Sequence, residues 1–132
     1  MSKLHEQALR FLRKAEADLA LLDEVLPAAR VSPDIIGFHC QQAAEKLLKA
    51  LLSERGIAFP RTHNLQHLLD LLADAGHELP LELCTIDELT PYGTVFRYDD
   101  PEDSAAFDRG AAVRRVRALY TFVQPRILSP GS

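Results

Sequence analysis

Tryptophan is absent from this chain, methionine occurs once, and cysteine occurs only at positions 40 and 84. Two cysteines exclude a disulfide framework, and thiols set in helical, largely apolar patterns suit a reducing compartment. No apolar run approaches the roughly 20 residues needed to cross a bilayer, and no targeting segment precedes the first helix. The expectation is a cytoplasmic protein with no membrane partner. Basic residues do not predominate: 15 Lys and Arg face 19 Asp and Glu, a formal net charge of −4. That excludes a global basic footprint for nucleic acid and confines any such contact to a local patch. Gly56, Gly76, Gly93 and Gly110 stand apart from one another, so no glycine-rich phosphate loop is present. No polar–apolar alternation is long enough for a strand.

What is present is an ordinary globular composition. The 132 residues are 47% hydrophobic and 26% charged, which fits one soluble domain with a real core. The stretch from Phe38 to Leu52 organises it. Ser32 reads as its N-cap, Pro33 as the first helical residue and Asp34 as a first-turn acid. Strong helix formers fill the body and Gly56 ends it. Ile36, Cys40, Ala43, Leu47 and Leu51 form one apolar stripe, while His39, Gln42, Lys46 and Lys49 form a polar one. Gln41 and Glu45 stand between apolar neighbours. A helix loaded on both sides can be buried twice, once in the core and once against a partner or ligand.

The remaining chain reads as helices joined by short links. A first helix spans about Lys3 to Leu26 on Leu4, Ala8, Phe11, Ala15, Leu19, Leu22 and Leu26. The short link after Pro27 implies antiparallel packing on the second helix. Thr62 or Asn64 opens a third helix on Leu65, Leu68, Leu69 and Leu72, stopped by Gly76. A shorter fourth helix follows Pro80, with Leu83, Ile86 and Leu89 inward, and Pro91 breaks it. Thr90 to Glu102 is irregular and rich in aromatic and charged side chains, which marks it as a candidate functional loop. Asp103 or Ser104 caps a last helix on Ala106, Val113, Val116, Tyr120 and Val123, with Gly110 in its middle and Pro125 stopping it. The pattern predicts an all-α, up-and-down bundle of four main helices and one short one over residues 1–128. Ala8, Phe11, Leu47, Leu51, Leu68, Leu72 and Val116 should lie inside, and 129–132 should form a disordered tail.

Familiar chemistries fit poorly. His63 and His67 share a helical spacing, but a zinc site needs further ligands that the neighbouring sequence lacks. His39 and Cys40 are adjacent on a helix and point about 100° apart, so they do not form a nucleophile and base. Arg61 and His67 match the spacing of an acid–base nuclease, in which His moves a proton and Arg stabilises the phosphorane. The stripe of His39, Gln42, Lys46 and Lys49 can cradle an anion or nucleotide, with arginines such as Arg97 adding charge.

Three stretches together resemble the HEPN domain family. They are Phe38 to Leu51, Arg61-Thr62-His63-Asn64-Leu65, and Tyr92 through Arg97-Tyr98-Asp99. The resemblance spans nearly the whole chain. It implies a small helical bundle that commonly dimerises and is often encoded beside a minimal nucleotidyltransferase in a two-component, toxin–antitoxin-like system. Nucleotide binding has been proposed for the group. One branch consists of metal-independent endoribonucleases with an Arg-x4–6-His motif near the start of a late helix. Here no histidine follows Arg97, and Arg61 and His67 lie between the second and third helices. Arg97-Tyr98-Asp99 instead resembles the Arg-Tyr-Pro-Asp-like signature of the non-nuclease branch, with Asp99 where proline is usual.

The resulting expectation is a homodimeric binding module without catalytic residues, metal or cofactor, whose partner is a nucleotidyltransferase, a nucleotide or RNA. The expected nucleotide or anion site is His39, Gln42, Lys46 and Lys49 on the second helix, with Arg97 and Tyr98 from the loop. Arg97 would grip a phosphate bidentately and Tyr98 would stack on a base. A divergent endoribonuclease and a ligand-free interaction domain are the alternatives.

Overall fold

The fold is seen in a computed structural model, which describes residues 2–93 and 107–129. Helix α1 is Lys3–Val25 and α2 is Pro33–Glu54. Ser2 caps α1 by accepting from the His5 N–H, and Ser32 caps α2 by accepting from the Asp34 N–H, as the start signals require. The two helices run antiparallel. His5, near the start of α1, meets Glu54 at the end of α2, and Asp18, further along α1, meets His39. Gly56 takes φ +72° just past α2, a conformation open to glycine without strain, and the Ile57 N–H folds back to the Leu52 carbonyl at 2.9 Å.

Helix α3 is Leu65–Asp74, capped by Asn64, and Gly76 turns the chain at φ +83°. A single turn, α4 (Leu81–Cys84), passes directly into a 3₁₀ helix over Thr85–Gly93. The expected break at Pro91 is thus a tightening. Pro91 sits inside the 3₁₀ segment, whose backbone φ suits the fixed φ of proline at the loss of one i→i+3 hydrogen bond. The last helix, α5, is Arg109–Leu128.

The start and stop of α5 differ from the sequence reading. Asp108 caps it by accepting from the Ala111 N–H, so Gly110 lies in its first turn and not in its middle. The expected caps Asp103 and Ser104, and Ala106, lie outside the described residues. Pro125 does not stop the helix. It forfeits one hydrogen bond in the final turn, but Val123 and Ile127 are fully buried. Burying an Ile side chain is worth about 1.5–3 kcal/mol, enough to hold the turn.

Helix α2 is the axle. Its residues Ile36, Cys40, Ala43, Leu47, Leu48, Leu51 and Leu52 are buried, with α1, α3, the 3₁₀ segment and α5 around them. The expected inward faces of α3 (Leu65, Leu68, Leu69, Leu72) and of the fourth segment (Leu83, Ile86, Leu89) are buried as read. Two expectations on α1 fail. Leu4 is exposed, and Phe11 is only partly buried, tilted against Phe59 at 6.1 Å, while Leu12 takes the core position. Tyr120 on α5 donates its hydroxyl to Glu16 on α1 at 2.6 Å, and Arg117 pairs with Asp23, which ties the last helix to the first. No strand occurs among the described residues. No helix there is long and apolar enough to cross a membrane.

Candidate functional site

The polar stripe of α2 forms a ridge alongside α1, and its charges are held by carboxylates from beneath. Asp18 occupies the inner stripe of α1 between Ala15 and Leu22, and it is buried. One carboxylate oxygen accepts from Lys46 Nζ at 2.8 Å and the other meets His39 Nδ1 at 3.1 Å. A carboxylate only accepts, so the imidazole donates from Nδ1 and leaves Nε2 to its outer side. Lys46 remains 22% exposed, so its ammonium keeps donors for a ligand.

Glu45 holds the second cluster. Its side chain is buried and receives three donors: Lys49 at 2.9 Å, His63 at 2.8 Å and Gln41 at 3.1 Å. Burial alone would push this carboxyl up. The hydrogen bonds from Lys49, His63 and Gln41, with the Lys49 charge, outweigh burial and hold it below the ordinary carboxylate value. Gln41 also donates to the His63 carbonyl at 2.9 Å and accepts from Gln42 at 2.8 Å. The network therefore pins the 61–64 connector to α2. Lys49 is only 11% exposed, with Nζ 5.9 Å from the Phe59 ring centroid.

Of the six expected site residues, the structure brings four onto one ridge: His39, Gln42, Lys46 and Lys49 are all partly buried. They do not form a bare basic stripe, because Asp18 and Glu45 offset the two lysines. Arg97 and Tyr98 lie outside the described residues. The chain leading to them runs along the Gly37–Gln41 face of α2 and comes, at Gly93, against the Gln41 and His63 side chains of the Glu45 network. A Cβ at Gly37 would stand 2.5 Å from the Tyr92 ring, and one at Gly93 would stand 3.3 Å from the Gln41 amide carbon. Positions 37 and 39 are about 200° apart around a helix.

The other candidates stay apart from this site. Arg61 and His67 are both exposed, and the His67 backbone N–H serves the Asn64 cap. Cys40 is fully buried and burial pushes its thiol up to about 12, which leaves it inert as a nucleophile. Cys84 is half-buried, not buried as its pattern suggested. Among the described residues no three His, Cys, Asp or Glu side chains group as metal ligands.

The sequence reading missed Asp18, Glu45 and His63 as members of the site. The signal for Asp18 was available: an acid three residues after Ala15 and four before Leu22 falls on the apolar stripe of α1. Such a residue needs a cationic partner from another helix. Gly37 was available in the same way, as an isolated glycine in a strong helix, where close approach of another group is the usual reason.

The described residues form an all-α bundle on one central helix, α2, whose two ridge lysines are paired with carboxylates. The chain matches the HEPN domain family over residues 1–126, and it belongs to that family. Neither the curated proteins nor the solved structures gave a significant match.

Proposed function

We propose that this HEPN domain is a non-nuclease, nucleotide-binding module. On this reading it works as a cytoplasmic homodimer and serves a minimal nucleotidyltransferase in a two-component, toxin–antitoxin-like system. One observation carries the binding reading: Lys46 and Lys49 stand on one ridge, each held in place by a carboxylate. A lysine held in place loses less side-chain entropy when it meets a phosphate. Each ammonium has three donors, so one bond to Asp18 or Glu45 leaves others for the ligand. His39 Nε2 and the Gln42 amide add hydrogen-bonding groups that read a base or a ribose hydroxyl.

The nuclease branch lacks support here. Helix α5 carries no histidine, and no histidine follows His77 in the chain. The three histidines with side-chain partners are each engaged by a carboxylate: His5 by Glu54, His39 by Asp18 and His63 by Glu45.

The test is calorimetric titration of ATP and short RNA oligonucleotides into wild type and Lys46→Ala, with RNA integrity followed on a gel. Binding to wild type, weakened in Lys46→Ala and without cleavage, is the expected result. Absence of binding to either ligand would leave a ligand-free interaction domain. Cleavage abolished by His67→Ala would restore the Arg61/His67 nuclease reading.

A further inference from the structure

We infer that the hollow between the start of α1 and the turn after α2 is a nucleobase site. The inference rests on the nucleotide reading above and supplies the part of the ligand that the lysine ridge does not hold. The hollow has a volume of about 290 Å³ and is lined by Leu4, Gln7, Ser53, Gly56, Ile57 and Phe59.

Its chemistry is specific. Leu4, Ile57 and Phe59 give apolar walls, one of them aromatic. Ser53 in the lining is 1% exposed, and its buried hydroxyl has no hydrogen-bond partner among the described residues. Buried hydroxyls ordinarily find a partner, so an orphan among the lining residues marks a place where, on a small side-chain shift, something else supplies one. The Gln7 amide, also in the lining, makes no hydrogen bond among the described residues. An amide that both donates and accepts, beside a hydroxyl that does the same, suits a planar heterocycle with donors and acceptors along its edge. The faces of that heterocycle are apolar and stack on aromatic rings.

Size and position point the same way. At about 290 Å³ the hollow lies at the low end of ligand-pocket volumes, with room for a base but not for a whole nucleoside triphosphate, so the phosphates stay outside. They emerge beside Phe59, and the Lys49 ammonium stands 5.9 Å from the centroid of that ring. Lys46 follows one turn back along the ridge. The glycine at 56 shapes the hollow. Its φ of +72° lets the Ile57 N–H return to the Leu52 carbonyl, which swings Ile57 and Phe59 over the end of α2.

The test separates base from phosphate. ATP, GTP, CTP, UTP and inorganic tripolyphosphate are titrated into wild type, Gln7→Leu, Ile57→Trp and Lys46→Ala, with circular dichroism confirming each fold. Gln7 is partly exposed, so Gln7→Leu leaves the core alone. At least one nucleotide should bind wild type about tenfold or more tighter than tripolyphosphate, because a base held by paired polar groups adds that much. Gln7→Leu and Ile57→Trp should remove the advantage and leave tripolyphosphate unchanged, whereas Lys46→Ala should weaken both. Equal binding of nucleotides and tripolyphosphate overturns the base site and leaves the ridge reading standing. Nucleotide binding untouched by Gln7→Leu and Ile57→Trp also overturns it. Binding of neither probe overturns both.

Discussion

The Asp18 carboxylate on α1 lies 2.8 Å from the Lys46 ammonium on α2, and both groups are largely withdrawn from water. The pair crosses from the first helix to the second and sets where the cationic ridge stands. Removing one partner leaves the other charge partly desolvated without a counter-charge.

Asp18→Ala should therefore destabilise the fold by about 1–3 kcal/mol, since it strands Lys46 and removes the acceptor of His39. Lys46→Met should cost less, because Asp18 keeps His39 and the methionine keeps the buried stem. Urea denaturation of the two variants checks the order; equal costs would mean that Asp18 contributes nothing beyond the lysine pair.

Glu45 gives the fold a pH dependence of known sign. Its folded pKa lies below the ordinary value of 4.5, so its contribution is complete above 4.5 and is lost as pH falls through the folded value. Wild type should lose stability on acidification in that window. Glu45→Gln should be less stable at neutral pH, by about 1–3 kcal/mol, and should show a flatter acid limb. Chemical denaturation from pH 7 down to pH 3 measures it, and parallel acid limbs would remove Glu45 from the account.

Gly37→Ala should destabilise, although alanine favours a helix over glycine by about 1 kcal/mol. The added Cβ would stand 2.5 Å from the Tyr92 ring, and overpacking of this kind costs about 1–3 kcal/mol. In a Tyr92→Ala background the same change should become neutral or stabilising, as a thermal-melt double-mutant cycle would show.

Much of this was legible in the sequence and some was not, for physical reasons. Ser32, Pro33 and Asp34 announced α2, and leucine spacing announced α3, because caps and periodicity are local. The end of α5 was misread because Pro125 is a local stop signal, while the burial of Ile127 that overrides it depends on the tertiary fold. The ridge residues were legible as a stripe. Glu45 stands at i,i+4 from Lys49 and was within reach of a spacing rule, whereas Asp18 and His63 come from other segments, and no local spacing says which residues of α2 they meet.

Thiol chemistry gives a simple readout of the core. Cys40 is fully buried with its thiol pushed up to about 12, and burial, with the nearby Glu78, Asp87 and Glu82 charges, pushes Cys84 up as well. At pH 8 the native protein should leave Cys40 unmodified by a disulfide reagent, with only slow reaction at Cys84. Both should react after unfolding, and mass mapping assigns the sites. Rapid native labelling of Cys40 would mean that α2 is not the axle of the bundle.

The claim that α2 presents a nucleotide-binding ridge is tested most directly by nuclear magnetic resonance. Isotope-labelled protein titrated with ATP should show saturable shifts at His39, Gln42, Lys46 and Lys49, with smaller ones at Gln7 and Ile57, and Lys46→Ala should abolish them at the same concentrations. Absence of shifts, or shifts confined to α3 and α5 with the α2 ridge silent, would contradict the account.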